Sequence, residues 1–218
     1  MSIEKVGIVG FGAMGSGIAQ VAAMAGFDVL VRDVDQKFID RGFERIDTSL
    51  PRVVKAGRLT EEGAKATRGR IRSTTSLADF KDRDLVIEAV VEILEEKKKV
   101  FGELDAVCPP SAIFASNTSS LTIVEMAATT KRGDRFAGMH FLNPPVMMPL
   151  VEIVQAITTS DATIEALRDF VKRLGHTGVV CKDTTGFIVN RILIAYLHAA
   201  IGLLEKGVAT ADEIDTAV

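Results

Sequence analysis

The strongest constraint in this sequence is a glycine loop held between two apolar runs. Lys5-Val6-Gly7-Ile8-Val9 is short, apolar and closes on Gly10, the pattern of a buried strand. Gly10-Phe11-Gly12-Ala13-Met14-Gly15 fits G-x-G-x-x-G. Residues 13–25 are helical in composition and stop at Gly26; residues 27–31 form the next strand pattern, and Asp33 follows. Alone the glycine pattern is weak, but a preceding strand, a following helix and an acid after the second strand supply its context. The first glycine permits the tight turn, the second lets backbone approach a pyrophosphate, and the third lets helix and strand pack closely. The free N–H groups and positive end of the helix then suit the anion. Ala13 and Met14, inside the loop, count with Gly10, Gly12 and Gly15 as cofactor contacts. Asp33 suits the hydroxyls of an adenosine ribose and repels a 2′-phosphate, which favours NAD over NADP. Arg32 beside it pulls the other way. A turn that needs glycine only for packing is the lesser reading.

The rest of the chain continues the alternation. Residues 35–56 are helical in spacing, with Pro51 as an interruption, and Thr60-Glu61-Glu62-Gly63 reads as the capped start of a further helix. Short strands are expected at 71–74, 85–88 and 112–115, with a charged helix at 94–107. A helix at 121–129, strands at 135–141 and 150–154, an amphipathic helix at 161–174 and a strand at 177–181 follow. This order predicts an α/β fold of Rossmann type: a mainly parallel sheet with helices on both faces. After Gly186 the pattern is helix only, with a break at Gly207 and a new start at Thr210-Ala211-Asp212-Glu213. The division expected is residues 1–185 as the dinucleotide-binding domain and 186–218 as the first part of an all-helical C-terminal domain. Val218 falls a few residues into the last helix, and a helix as apolar as 187–204 needs partners on several sides. The expectation is a fragment of a longer protein, or a chain completed by a second subunit.

Bulk properties narrow the partners. The 26 Lys and Arg residues against 29 Asp and Glu give a formal charge of −3, without a basic block. Nothing recruits nucleic acid or an anionic membrane. Cys108 and Cys181 are too few for a disulfide framework and lack metal-type spacing, so no metal is expected. Two small buried thiols suit a reducing cytosol. A strand pattern beginning at Ile3 leaves no room for a leader, which points to the cytoplasm. Asn190, Arg191 and His198 make residues 187–204 a buried helix rather than a membrane span.

Three stretches carry chemistry. Ser116-Asn117-Thr118-Ser119-Ser120-Leu121 follows a strand and so lies at the carboxyl edge of the sheet, where open α/β folds bind ligands. Its plainer reading is a helix cap by Ser119 or Ser120. His140 ends a strand and Glu152 falls within the next; neighbouring strands would join them. A buried carboxylate beside imidazole favours the charged ring and fixes its orientation, and imidazole suits a general base. The plainer reading is a satisfied core histidine, which is how His176 and His198 are read. The third stretch is Asp183-Thr184-Thr185-Gly186-Phe187-Ile188-Val189-Asn190-Arg191; Asn190 and Arg191 lie in the first turns of an apolar helix, where buried polar groups need partners. Asn190 would face the cleft or an interface between domains.

Taken together, the segments GFGAMGSGIAQVAA (residues 10–23), SNTSSL (116–121), HFLNPP (140–145) with LVEIV (150–154), and GFIVNRIL (186–193) resemble the NAD-dependent 3-hydroxyacyl-CoA dehydrogenases, and among them the bacterial 3-hydroxybutyryl-CoA type. The resemblance spans essentially the whole chain. It implies that His140 takes the proton from the 3-hydroxyl, that Glu152 supports its charged form, and that Ser119 and Asn190 hold the reacting oxygen or acyl group. It adds Glu92, Lys97, Ser119 and Asn143 to the cofactor contacts. It lays the CoA tail near Ser49, Arg52 and Lys55, whose charges suit phosphates. It also implies a homodimer built by a longer helical domain. Two positions depart: Thr185 stands where the family usually has proline, and Pro149 where it commonly has lysine. Both bear on substrate preference.

The leading expectation is an oxidoreductase of short-chain (S)-3-hydroxyacyl-CoA. A related NAD-dependent dehydrogenase of a free hydroxy acid, as in gulonate dehydrogenase and lambda-crystallin relatives, shares the glycine loop and the Ser-His-Glu-Asn set. The basic surface around residues 49–58 favours acyl-CoA. A nucleotide-binding fragment without turnover is the third expectation.

Overall fold

The computed structural model describes residues 2–218. Eight strands form one sheet. They are β1 (Lys5–Val9), β2 (Asp28–Arg32), β3 (Ile71–Thr74), β4 (Leu85–Glu88), β5 (Ile113–Ser116), β6 (Phe136–Phe141), β7 (Leu150–Gln155) and β8 (Thr177–Lys182). Their order across the sheet is β3-β2-β1-β4-β5-β6-β7-β8. Every neighbouring pair is parallel except β6–β7. The first six reproduce the doubly wound order with its reversal between β1 and β4, which opens a crevice at the carboxyl edge.

Helices α1 (Ala13–Met24), α2 (Gln36–Lys55), α3 (Glu61–Gly69), α4 (Leu94–Val107), α5 (Ile123–Ala127) and α6 (Asp161–Arg173) accompany this sheet. Two apolar clusters result, as a sheet buried on both faces requires. One holds Ile8, Ile18, Phe27, Val31 and Phe170. The other is centred on Phe101, Phe114 and Phe136, whose rings lie 4.5–6.4 Å apart.

Two expectations change. Pro51 does not interrupt its helix: α2 runs through it. Pro51 is exposed, so water can serve the carbonyl its missing N–H leaves free, while Ile46, Leu50 and Val53 keep one buried face on either side of it. Ser119 and Ser120 do not cap the next helix. That helix begins at Ile123, and the Asp183 carboxylate accepts from Ile123 N–H (3.1 Å) and Val124 N–H (2.9 Å). The cap comes from sixty residues away, beyond the reach of local pattern.

The last two helices are α7 (Val189–Glu205) and α8 (Ala211–Ala217). Thr210 and Glu213 form a capping box at α8, as the sequence indicates, and Gly207 has φ +65° at the break. The buried helix expected at 187–204 is not buried in this chain: no residue of α7 is buried, and Ile192, Ile194 and Ile201 are more than half exposed, because few elements pack against it. Among the described residues, no helix is long and apolar enough to cross a membrane.

Candidate active site

Parallel strands deliver their carboxyl ends to one edge. There Gly10 follows β1, Glu88 ends β4, Ser116 ends β5 and His140 nearly ends β6. Because β7 runs antiparallel to β6, it starts at the same edge and sets Glu152 directly opposite His140.

The glycine loop has the shape a pyrophosphate needs. Gly10 has φ +93°, and a Cβ there would lie 2.5 Å from the Ala89 carbonyl oxygen. A Cβ on Gly15 would lie 1.8 Å from the Gly10 carbonyl oxygen, so glycine is what lets α1 start this close to the turn. Gly12, the N-cap of α1, differs: a Cβ there would meet nothing within 4 Å, and no side chain caps the helix. That open space above an uncapped helix start is where an anion fits. Asp33 already holds the loop. Its carboxylate accepts from Phe11 N–H at 2.8 Å and Val34 N–H at 2.7 Å, and the remaining lone pairs are left for ribose hydroxyls.

Met14, Glu92, Lys97, Asn117, Ser119, His140, Asn143 and Asn190 line one cavity of about 420 Å3. His140 Nδ1 lies 2.7 Å from Glu152 Oε2, and both side chains are buried. The other oxygen of Glu152 accepts from Ile188 N–H (2.8 Å) and Val189 N–H (3.0 Å), at the start of α7. The carboxylate therefore ties the histidine to the helix that carries Asn190. Phe187 closes the turn between them with φ +46°, unusual for a non-glycine residue, and its ring centre lies 5.6 Å from that of His140.

Beside this cavity runs a larger cleft of about 1160 Å3 between α2 and the loop 143–147. Ser49 and Arg52 line it, as do Arg41, Arg45 and Arg58. Lys55 does not join them: it lies in a separate groove between α2 and α3, with Lys65 and Arg68.

Residues 5–184 match the family described as 3-hydroxyacyl-CoA dehydrogenase, NAD binding domain. Residues 186–218 match its C-terminal domain. The chain belongs to the 3-hydroxyacyl-CoA dehydrogenase family. It is 47% identical over 99% of its length to a 3-hydroxybutyryl-CoA dehydrogenase of Bradyrhizobium diazoefficiens and covers 74% of that protein. It is 45% identical over its full length to a protein of the same name from Mycobacterium tuberculosis and covers 77% of it. The crystal structure of (S)-3-hydroxybutyryl-CoA dehydrogenase from Ralstonia eutropha superposes with a TM-score of 0.94 at 41% identity, over 97% of this chain and 75% of that one. Family membership makes this an NAD-dependent dehydrogenase, and the loop and Asp33 fit that cofactor.

Several side chains beside the cavity receive no role of their own from the sequence. Glu88, Ser116 and Thr118 lie just beneath the cavity. Phe187 and Asp183 hold the turn and the neighbouring helix. Ser116, Thr118, Asp183 and Phe187 fall within stretches that stand out for chemistry, whereas Glu88, an acid closing a strand of otherwise apolar residues, does not.

Proposed function

We propose that the protein interconverts short-chain (S)-3-hydroxyacyl-CoA and 3-ketoacyl-CoA, with 3-hydroxybutyryl-CoA and acetoacetyl-CoA as the pair. The observation that carries this is the 2.7 Å His140–Glu152 contact on the wall of the same cavity as Ser119, Asn143 and Asn190. In the oxidative direction, His140 Nε2 accepts the proton of the 3-hydroxyl. Glu152, bound to the other ring nitrogen, fixes the ring's orientation and stabilises its charged form. Ser119 and Asn190 hold the reacting oxygen and orient carbon 3. NAD, when bound, supplies the acceptor for the hydride of carbon 3. In the reverse direction, charged His140 returns the proton to the oxygen.

The CoA tail is assigned to the cleft lined by Ser49 and Arg52. Arg41, Arg45 and Arg58 add positive charge there suited to phosphates. Lys55 serves the tail only from outside that cleft, in the neighbouring groove. The exposed apolar residues of α7 are assigned to subunit pairing in a homodimer. Two free cysteines suit a cytoplasmic protein.

The test is loss of NADH absorbance with acetoacetyl-CoA, run beside free acetoacetate, together with gain of NADH absorbance from NAD and sugar acids. Turnover only with the CoA ester is expected. Turnover of the free acids in its place would transfer the assignment to a hydroxy-acid dehydrogenase.

A further inference from the structure

A buried ion pair lies outside the acid–base pair just described. Glu88, fully buried at the end of β4, accepts from Lys97 Nζ at 2.7 Å, and Lys97 is itself 1% exposed. The second oxygen of Glu88 accepts from Ser116 Oγ at 2.6 Å, and Val90 N–H donates to the first at 2.7 Å. Three polar groups converge on its two oxygens, and the Lys97 ammonium among them favours the carboxylate. The contacts continue into a closed ring. Lys97 Nζ reaches Glu92 at 3.1 Å, and Glu92 accepts from the Thr118 hydroxyl. Thr118 N–H returns to Ser116 Oγ at 3.2 Å. Ser119 N–H also points to Glu92, at 3.2 Å.

This ring joins the end of β4, the start of α4 and the turn after β5. Burial pushes the Glu88 carboxyl above the usual carboxylate range, against the pull of Lys97. A buried pair of this kind is poor evidence for stability, since apolar groups of similar volume often do as well or better. Its position explains it instead. Glu92, Lys97 and Ser119 line the same cavity as His140, the end assigned above to the reacting groups, whereas Glu88 does not reach it.

We propose that Glu88 is a positioning residue for the cofactor: through Lys97 and Ser116 it fixes the groups that face the nicotinamide half of NAD. The proposal rests on the reading of Lys97, Glu92 and Ser119 as cofactor contacts. Gln at position 88 keeps the size and can donate its amide N–H to Ser116 Oγ, but it removes the negative charge that pairs with Lys97 and leaves that buried ammonium uncompensated.

The experiment is calorimetric titration with NADH and, separately, with ADP, for wild type, Glu88→Gln, Lys97→Met and the double variant. ADP engages the glycine loop and Asp33 but not the His140 end. Each single variant is expected to weaken NADH about tenfold while ADP stays within about twofold. The double variant is expected to be no more than about twofold worse than the weaker single, because both act through one contact. Wild-type NADH affinity in either single variant overturns the proposal. Equal losses of NADH and ADP overturn it too, since they mark support of the fold alone. Multiplying losses in the double variant overturn the route through Lys97. If Glu88→Gln does not fold, Glu88→Leu with Lys97→Met carries the same test, with the same contrast between NADH and ADP expected. These affinities do not depend on which substrate is turned over, so this proposal and the acyl-CoA assignment can fail separately.

Discussion

The glycine loop and the His140–Glu152 pair stand at the same edge of one sheet but are made differently. The loop is built from backbone within six consecutive residues, and its fit depends on what is absent: side chains at positions 10, 12 and 15. The pair is built from two side chains on different strands, placed by the only antiparallel pairing in the sheet among the described residues. The loop's geometry is therefore set locally. The pair's geometry is set by register, and a shift of one residue in β7 would turn Glu152 to the opposite face.

If that difference is real, the two regions should fail in different ways. The largest effect belongs to His140→Gln, which keeps the volume but removes the base. The rate of acetoacetyl-CoA reduction should fall about a thousandfold, a typical contribution of general acid–base catalysis. NADH affinity should stay within about twofold, measured by titration of NADH fluorescence. A comparable fall in NADH affinity would mean the two regions are not separable. Next comes Gly15→Ala, whose added Cβ must displace the Gly10 carbonyl from 1.8 Å. NADH affinity should drop about a hundredfold, and stability should fall by about 3 kcal/mol, as expected where strain is forced into a packed turn. Urea unfolding reads the second quantity, and an unchanged midpoint would show that the loop yields without strain.

The sequence discloses these regions to different degrees, for the same reason. Gly10, Gly12, Gly15 and Asp33 are legible because strand, turn, helix and acid follow one another along the chain. The mainly parallel character of the sheet also follows, since strands alternating with helices imply helical crossovers. His140 and Glu152 are recognisable as candidates, but spacing alone does not pair them; that takes the reversal of β7. The cap of α5 is invisible locally because Asp183 arrives from the far end of β8. Lys55 could not be separated from Ser49 and Arg52 by composition, since all three share α2. The structure places Lys55 in a different groove. Glu88 stays hidden because a single acid at a strand end carries no pattern; only its ring of contacts gives it meaning.

Gly12→Ala sharpens the local side of the contrast. Its Cβ enters open space, so urea unfolding should match wild type to within about 0.5 kcal/mol. NADH affinity should nevertheless fall about tenfold, because the methyl occupies the approach of the pyrophosphate. An unchanged affinity would place the pyrophosphate elsewhere.

The smallest effect tests the register side. The Cys181 thiol on β8 is pushed up to about 11, first by burial and then by the carboxylates of Glu152 and Asp183. A raised thiol stays neutral, so alkylation at pH 8 should be slow and should rise about tenfold per pH unit. Cys108, pushed to about 12 chiefly by burial, should be slower still. Glu152→Gln removes one of the two charges pressing on Cys181 but leaves its burial and the Asp183 carboxylate in place. Its labelling should quicken about threefold, with Cys108 unchanged. Equal acceleration at both cysteines would mean the substitution had loosened the whole sheet, and that the pair holds more of the fold together than its two side chains.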